Sequence, residues 1–532
     1  MICASAVMGG ALYSPAGYGV PTAFAAGSVT VTDGCASSSD PIYTACHIYG
    51  NQEKVVRSYL YQSGDDRLTR VEFIPTSKKT VDYYDLNYGY VIAEDIDMKT
   101  GKLIKSRRLD MRLPLFGGFY VGEKYLYMVT GQENLDESGD REVFAVTRIA
   151  KDFKSQKSVV LMGHNTYIPF KAGSCRMTEA GGKLYIHTCH QVYMSDDNLR
   201  HQMNMSFVLD EESMEFEQKH YKVEWHYADA AFPYVSHSFD QFVVSDEEAV
   251  YSYDSGDAYP RALTLSKYDL STKRRTDGEL ISIADQQSGD SYNYTGAITG
   301  GIVMSKDNLL IGVKMADPSL TTLDKYYDLK DIYVLVMPKS AVGTDTSPKL
   351  VNLTNYTNKA QKEGSTGRRN SAPKMVKVSD DRFLVMWKEC TGSTNWWATS
   401  DSSGVTKIAV IDGSGKLIGS VMESSEITLS DCDPILCSDG KVRWYAASGG
   451  APVLYAIDPN DPVTFGEEVI KGDADKNGTV DVSDVLLIQQ YIAGWSVDID
   501  LNAADVTGDA KANIDDALLI QQHIAGWDVT FK

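Results

Sequence analysis

The chain has 532 residues, too many for one ordinary hydrophobic core, so its length implies several domains or one large repeat architecture. Lys and Arg number 51 against 72 Asp and Glu, a formal net charge of −21, and no Lys/Arg stripe is present to replace phosphate counterions, which argues against a nucleic-acid partner. The acid is unevenly spread: residues 466–532 hold 13 Asp/Glu against 4 Lys and no Arg.

The first 26 residues, MICASAVMGGALYSPAGYGVPTAFAA, carry no charged side chain and end in the A-x-A pattern Ala23-Phe24-Ala25. Residues 1–26 therefore read as an export signal whose basic start lies upstream. No later apolar run is long enough to span a bilayer. Among the cysteines, Cys35/Cys46 and Cys175/Cys189 are spaced like local loop or hairpin disulfides, which suits an exported protein. His187 and His190 flank Cys189, but no second matching pair exists, so strand residues are expected there rather than a zinc site.

Residues 27–462 consist of short β-rich runs broken by Gly/Asp/Ser/Asn turns. Six lines align: YVGEKYLYMV (120–129), EAGGKLYIHT (179–188), VSDEEAVYSY (244–253), MSKDNLLIGV (304–313), VSDDRFLVMW (378–387) and CSDGKVRWYA (437–446). Taking Tyr127, Tyr185, Tyr251, Ile311, Val385 and Trp444 as equivalent, the repeat is about 60 residues, and further hairpins such as VIAEDIDMKTGKLIKSRRL and IAVIDGSGKLIGSVM follow the lines. That period fits a four-stranded propeller blade better than a helical or leucine-rich repeat. With the segment 67–110 the expectation is a seven-bladed β-propeller, β-sandwiches being the alternative. The stretch CHIYGNQEKVVRSYLY is expected to pair into the last blade and close the ring.

Propellers place their sites where innermost strands begin, because residues from every blade converge there. The segments before those strands supply Arg176, His237, Asp240, Arg368, Arg369, Asn370, Asp431 and Asp433. Two carboxylates with cationic helpers suit glycoside hydrolysis, and His with Arg suits β-elimination from a uronate, yet no spacing here is diagnostic. DSGDAYPR (254–261) is expected to be a tight inter-strand loop held by Arg261. Trp396 and Trp397, adjacent in WKECTGSTNWWATSD, are candidates for stacking on sugar faces. Through VSHSFDQF and GDAYPR the body is similar to exported bacterial propeller-like proteins of unknown function, a resemblance that supplies no activity.

At the C-terminus LLIQQYIAGW (486–495) returns as LLIQQHIAGW (518–527), each copy preceded by an acidic loop. In DADKNGTVDVSD the positions 1, 3, 5, 7, 9 and 12 are Asp473, Asp475, Asn477, Thr479 (through its carbonyl), Asp481 and Asp484, with Gly478 at 6. That alternation of oxygen donors is what a hard cation such as Ca2+ needs. The second loop, DVTGDAKANIDD, offers Asp505, Thr507, Asp509, Lys511 (through its carbonyl), Asn513 and Asp516, with Ala510 where glycine is wanted. With three carboxylates against four, and a β-carbon at the sharp turn, it is expected to bind calcium more weakly. Too few residues precede each loop for entering helices. Val485, Ile488 and Ile492, like Ala517, Ile520 and Ile524, recur at helical spacing as a buried stripe, and Trp495 and Trp527 are expected in the core. Phe465 and Phe531 are candidates for a clasp joining the ends.

Two loop–helix units without entering helices, with Asp at position 12, resemble a type I dockerin. The resemblance implies a small all-α module over 463–532 that docks onto a cohesin module of a scaffoldin, in a secreted, scaffold- or cell-surface-associated protein of the cellulosome type. It also implies a recognition face of loop positions 10 and 11 with the helix glutamines: Val482, Ser483, Gln489 and Gln490 in one repeat, Ile514, Asp515, Gln521 and Gln522 in the other. The body would then meet polysaccharide or glycan, either as a binding module or as a glycoside hydrolase or polysaccharide lyase.

Overall fold

The computed structural model describes residues 29–32, 34–36, 55–82, 84–221, 228–282, 297–315, 317–318, 330–354, 367–392, 404–425, 427–446, 452–459, 470–475, 477, 479–497, 499–509 and 511–531. The chain is mainly β, with two eleven-residue helices near the C-terminus. Up to Ile457 the described regular structure is strand apart from one 3-10 turn at Lys339–Ala341, and every strand pair is antiparallel, as hairpin-rich sequence with alternating burial dictates.

Consecutive strands form four-stranded meanders. The first unit is Ser58–Gly64, Arg67–Val81, Tyr84–Asp97 and Leu103–Leu109; the second is Leu115–Val121, Tyr125–Gly131, Glu142–Ala150 and Gln156–Met162. The third is Arg176–Ala180, Lys183–Val192, Gln202–Asp210 and Phe216–His220, with Thr166–Pro169 added beside Lys183–Val192. The fourth is Ser236–Ser245, Ala249–Tyr259, Ala262–Asp269 and Arg274–Ser282; the fifth is Ile298–Met304, Asn308–Met315, Asp331–Pro338 and Lys349–Asn352. In the sixth, Lys374–Ser379 and Gly367–Asn370 both pair with Arg382–Gly392, followed by Gly404–Ile411 and Leu417–Ser424. The seventh joins Ile435–Leu436, Val442–Ala446 and Val453–Ile457 to the N-terminal Val29–Val31. Single bridges, Tyr88 to Leu115 and Met203 to Ser236, fuse the first unit to the second and the third to the fourth; no described sheet closes into a barrel.

The core lies between units. Val71 and Phe73 of the first unit pack on Phe116, Phe119 and Met128 of the second. Tyr127 and Phe144 meet Leu184, Ile186 and Phe207 of the third, and Tyr185 with Val208 meets Val243 and Val250 of the fourth. Tyr251 and Leu265 meet Ile311 and Leu335 of the fifth, whose Leu310 and Val334 meet Phe383 and Trp387 of the sixth. One further cluster joins Leu384 and Met386 of the sixth unit, Trp444 and Tyr445 of the seventh, and Leu60, Leu68 and Ile96 of the first. The six residues aligned in the sequence are all buried in second strands, but not on one face. Tyr127, Tyr185 and Tyr251 face the following unit, whereas Ile311 and Val385 face the preceding one, because a one-residue offset inverts a period-two pattern.

Several expectations are corrected. The last unit is completed by Val29–Val31, whose Val29 lies opposite Tyr455, while Ser58–Tyr61 opens the first unit instead. Cys175 and Cys189 are free thiols: the register that sets Arg176 opposite His187 puts Cys175 opposite Thr188, so the two side chains leave opposite faces of the hairpin. Cys35 is free as well, and Cys46 lies outside the described residues, as do 1–26 and Phe465. Asp254 to Tyr259 continue a strand rather than form a loop, with Asp254 buried inside it. His187 and His190 lie in the strand Lys183–Val192, in line with the expectation of strand residues, and both are fully buried.

A recurring device escaped the sequence reading. Where third and fourth strands meet, Asp97, Asp210, Asp269 and Asp412 accept backbone N–H groups two to four residues ahead, at 2.7–3.2 Å. These Asx turns set the hairpin geometry in four units. Trp444 is fully buried and donates Nε1–H to the Thr428 carbonyl at 2.8 Å. Trp444→Ala should therefore cost about 3–5 kcal/mol in chemical denaturation.

Candidate functional site

At the C-terminus three helices follow: α1 (Val482–Ile492), α2 (Leu501–Ala504) and α3 (Ile514–Ile524). Helices α1 and α3 start identically. Asp481 and Asn513 are N-caps, accepting from the N–H of Ser483 at 2.7 Å and of Asp515 at 2.8 Å, and Asp484 and Asp516 complete capping boxes. Those two aspartates also close their loops. Asp484 accepts the N–H of Asp475 at 3.1 Å and of Asp481 at 2.8 Å; Asp516 accepts those of Val506 and Thr507 at 3.1 and 2.9 Å and of Asn513 at 2.8 Å. Each is fully buried, and burial raises the Asp484 carboxyl above its usual range.

The loops gather carboxylates. Ligand oxygens of Asp473, Asp475 and Asp484 lie within 4.8 Å of one another, and so do those of Asp505, Asp509 and Asp516. An all-oxygen donor set of this density suits a hard divalent cation. Thr479, Asn477 and Asp481 sit beside the first cluster, with Asn477 accepting the Thr479 N–H at 2.9 Å. Asn513 donates from Nδ2 to Asp509 at 3.0 Å, and Lys511 donates its N–H to the same Asp509. Gly478 and Ala510 lie outside the described residues. Before the first loop no helix precedes it among the described residues, and before the second stands only the single turn α2.

Val485, Ile488, Ala517 and Ile520 are buried between α1 and α3 with Ala504 and Val506. Ile492 and Ile524 are exposed instead of extending that stripe, and so are Trp495 and Trp527, at 63% and 64%. The reason is local: the helices stop at Ala493 and Ala525, and Gly494 and Gly526, at φ 81° and 79°, turn the chain away from the core. Val482, Ser483 and Gln489 are exposed, as are Ile514, Asp515 and Gln521, while Gln490 and Gln522 are half-buried. Leu486 and Leu518, one turn beyond Val482 and Ile514, extend both faces with exposed apolar surface that the sequence reading assigned no role. Phe531 packs against His523 at 4.8 Å, and the expected clasp with Phe465 involves a residue outside the described ones.

The body has its own cluster. Arg176 Nη1 donates to Asp433 Oδ2 at 2.6 Å, and Lys374 Nζ donates to Asp433 Oδ1 at 2.7 Å and to the Asp431 carbonyl at 2.8 Å. These residues come from the heads of the third and sixth units and from the segment entering the seventh, and Arg176 lies over the Phe242 ring of the fourth at 4.7 Å. Lys374 was absent from the sequence candidates because a lysine opening a β-run has no distinguishing spacing. Asp433 is deep among protein atoms, yet its side chain keeps 42% of its surface open. Burial works against its ionisation, but Lys374 and Arg176 outweigh that and hold the carboxyl well below the usual carboxylate range. Asp431 moves the other way, burial raising it despite Lys374 and Arg57 and with Asp433 adding to the rise.

The remaining candidates are dispersed. His237 stacks on His201 at 5.7 Å, and Asn370 is buried with Nδ2 on the Lys330 carbonyl at 2.8 Å. Asp240 accepts the Thr299 N–H at 2.9 Å. The side chains of Arg368 and Arg369, and Trp396 and Trp397 entirely, lie outside what is described. A Ser206–His187–Asp254 array, with His187 Nδ1 2.7 Å from Ser206 and Nε2 3.0 Å from Asp254, is sealed from solvent under Phe232, so it is a structural network and not a nucleophile.

Asp433→Asn should destabilise the fold by about 1–2 kcal/mol at pH 7, below the 3–5 typical of a fully buried pair because the partly open side chain is screened. A depressed carboxyl stabilises the native state above its unfolded pKa of about 4. The difference from the parent should thus be full at neutral pH and shrink on acidification below about pH 4, which denaturation across that range will measure.

Residues 471–525 match the family model of the dockerin type I domain. No curated protein matches the chain. Among solved structures, an apocarotenoid oxygenase mutant of Synechocystis is similar at 12% identity and TM-score 0.34, over 58% of this chain and 64% of that one. A Dyadobacter fermentans protein of unknown function gives 9% and 0.38 over 71% and 96%, and the AfRom2 CNH domain 10% and 0.37 over 81% and 99%. The chain spans just under two thirds of the oxygenase, and likenesses this distant carry no argument for the body. The C-terminal segment 471–525, with its two acidic loops and matched helices, is a type I dockerin domain.

Proposed function

We propose that the protein is an exported, cellulosome-type component. Its dockerin module, residues 463–532, binds a cohesin module of a scaffoldin with calcium in both loops, and its body, residues 27–462, is a seven-bladed propeller offered to polysaccharide or cell-surface glycan. The observation that carries the docking half is the dockerin domain itself, with carboxylates clustered in each loop. Calcium there would cross-link loop positions and fix the N-termini of α1 and α3. Asp473, Asp475, Asn477, Thr479, Asp481 and Asp484 would hold one ion, and Asp505, Thr507, Asp509, Lys511, Asn513 and Asp516 the other, more weakly for its smaller carboxylate count. The face to cohesin is Val482, Ser483, Gln489 and Gln490 or its counterpart Ile514, Asp515, Gln521 and Gln522, with Leu486 and Leu518 adding apolar area.

Support for the ring is that each unit packs on both its neighbours, the last sharing a cluster with the first, whereas sandwiches would pair sheets face to face. Residues of distant units meeting at Asp433 also favour convergence on an axis. An enzymatic reading is favoured by one specific observation: Asp431 and Asp433 are two residues apart with pKa values pushed in opposite directions, the pattern of an acid and base pair. A glycan array with a polysaccharide-hydrolysis screen separates the two. Binding without new reducing ends or unsaturated products excludes a hydrolase or lyase.

For docking, Asp473→Ala with Asp484→Ala should abolish calcium-dependent binding of the full chain to a cohesin panel; undiminished binding would falsify the assignment. A calcium titration should show two steps, the weaker one disappearing in Asp505→Ala with Asp516→Ala. Loss of the tighter step instead would reverse the ranking.

A further inference from the structure

Trp495 and Trp527 belong neither to the calcium loops nor to the buried stripe, and at 63% and 64% exposure they stand open at the same point of both repeats. Large apolar side chains left open next to other exposed apolar residues mark a contact surface. The question is which surface each indole joins.

The chain after α3 brings Trp527 to the start of α1. His523, in the last turn of α3, meets the Phe531 ring at 4.8 Å. That ring lies on the first calcium loop: a β-carbon added at Gly472 would come within 2.9 Å of both Phe531 and Val480, and Phe531 packs on the cluster that holds Val485 and Ile488. Trp527 stands between His523 and Phe531 in the chain. Its N–H donates to the Gln522 carbonyl and its carbonyl accepts the Val529 N–H, both at 3.0 Å, so the connection is tight and holds the indole near that contact. Val480 lies two residues before Val482, where the exposed face of α1 begins. The first repeat is built alike. Trp495 donates its N–H to the Gln490 carbonyl at 3.0 Å, and Ile499 and Ala512, in the positions of Phe531 and Val480, pack on the same cluster.

One helix supplies little apolar surface for docking. On α1 the face consists of Val482 and Leu486 with Ser483 and two glutamines. A stable interface takes about 800 Å² from each partner and places aromatic side chains at its centre, and one tryptophan adds on the order of 150–250 Å². We propose that each docking face is composite, the start of one helix joined by the indole that follows the other: Val482 and Leu486 with Trp527, and Ile514 and Leu518 with Trp495, the indole anchoring the cohesin module. The inference rests on the docking reading and adds to it the residue on which affinity depends most. Tryptophan is the side chain most enriched among such anchors.

The test is titration of the calcium-loaded full chain against the cohesin panel in two backgrounds. Ile514→Asp with Leu518→Asp leaves only the α1 face, and Val482→Asp with Leu486→Asp leaves only the α3 face. On the α1 face Trp527→Ala should weaken binding at least about tenfold and Trp495→Ala less than about twofold; on the α3 face the order should reverse. Both indoles are exposed, so calcium binding and thermal unfolding should stay as in the parent. In the parent chain, cohesin should also shield from iodide the part of the tryptophan emission that Trp495→Phe with Trp527→Phe removes. Parent-like cohesin affinity in Trp495→Ala with Trp527→Ala, or loss of calcium binding in that variant, would overturn the inference and leave the docking reading standing. Each indole weakening only the face of its own repeat would overturn the composite pairing. Failure of every cohesin to bind the parent overturns the docking reading and this inference with it.

Discussion

The body depends on one constraint: the second strand of each unit buries both of its faces, against apolar side chains nearly everywhere but at the Arg70–Glu72–Glu94 ion network of the first unit, so no four-stranded meander can be satisfied by one neighbour. In the second unit Leu126 and Met128 turn toward the first while Tyr127 and Val129 turn toward the third. In the fifth, Ile311 and Leu310 divide likewise between the fourth and sixth. A sheet with two sticky faces must sit between two others, and a linear row of such sheets would leave both ends wet. The cluster joining Trp444, Leu384 and Leu60 removes those ends. The short strand Val29–Val31 serves the same need in the other direction, covering the exposed edge of Val453–Ile457 with backbone from the far end of the chain.

That arrangement explains what the sequence showed and what it hid. Turn-plus-strand lines are legible because each needs Gly or Asp followed by alternating apolar residues, and they land at the start of second strands in six units. The dockerin is legible because cation ligation fixes residue type at every other loop position. Contacts between units are not, since nothing local says that Arg176, Lys374 and Asp433, separated by 198 and 59 positions, share one point. Cys175 and Cys189 mislead for a related reason: spacing predicts proximity, but register decides which face a side chain takes. The two tryptophans mislead because they follow Gly494 and Gly526, where the helix has ended and the chain turns away from the core.

In the dockerin, a single carboxylate per repeat links the metal loop to the helix behind it. Asp484 and Asp516 cap the helix, accept amides from both ends of the loop and contribute to the acidic cluster. Glutamate would place its oxygens one methylene farther out, so the shorter aspartate is what lets one group do all three. Loop geometry and helix start are thereby coupled, and the exposed Val482–Leu486 and Ile514–Leu518 faces, which begin at those same helix starts, inherit their orientation from the loop.

The charge of the whole chain conceals a division between its parts. The C-terminal segment concentrates acid where a divalent cation needs it, while the heads of the body's units bring Arg57, Arg176 and Lys374 toward one region that also holds Asp431 and Asp433. Arg176 and Lys374 are spent on Asp433, and the charge of Arg57 acts on Asp431. An acidic protein repels acidic polymers at long range, but screening confines that repulsion to about 8–10 Å at physiological salt. Within that distance the local charge governs, so the three cations gathered around two carboxylates, rather than the net charge of the chain, set what that region attracts.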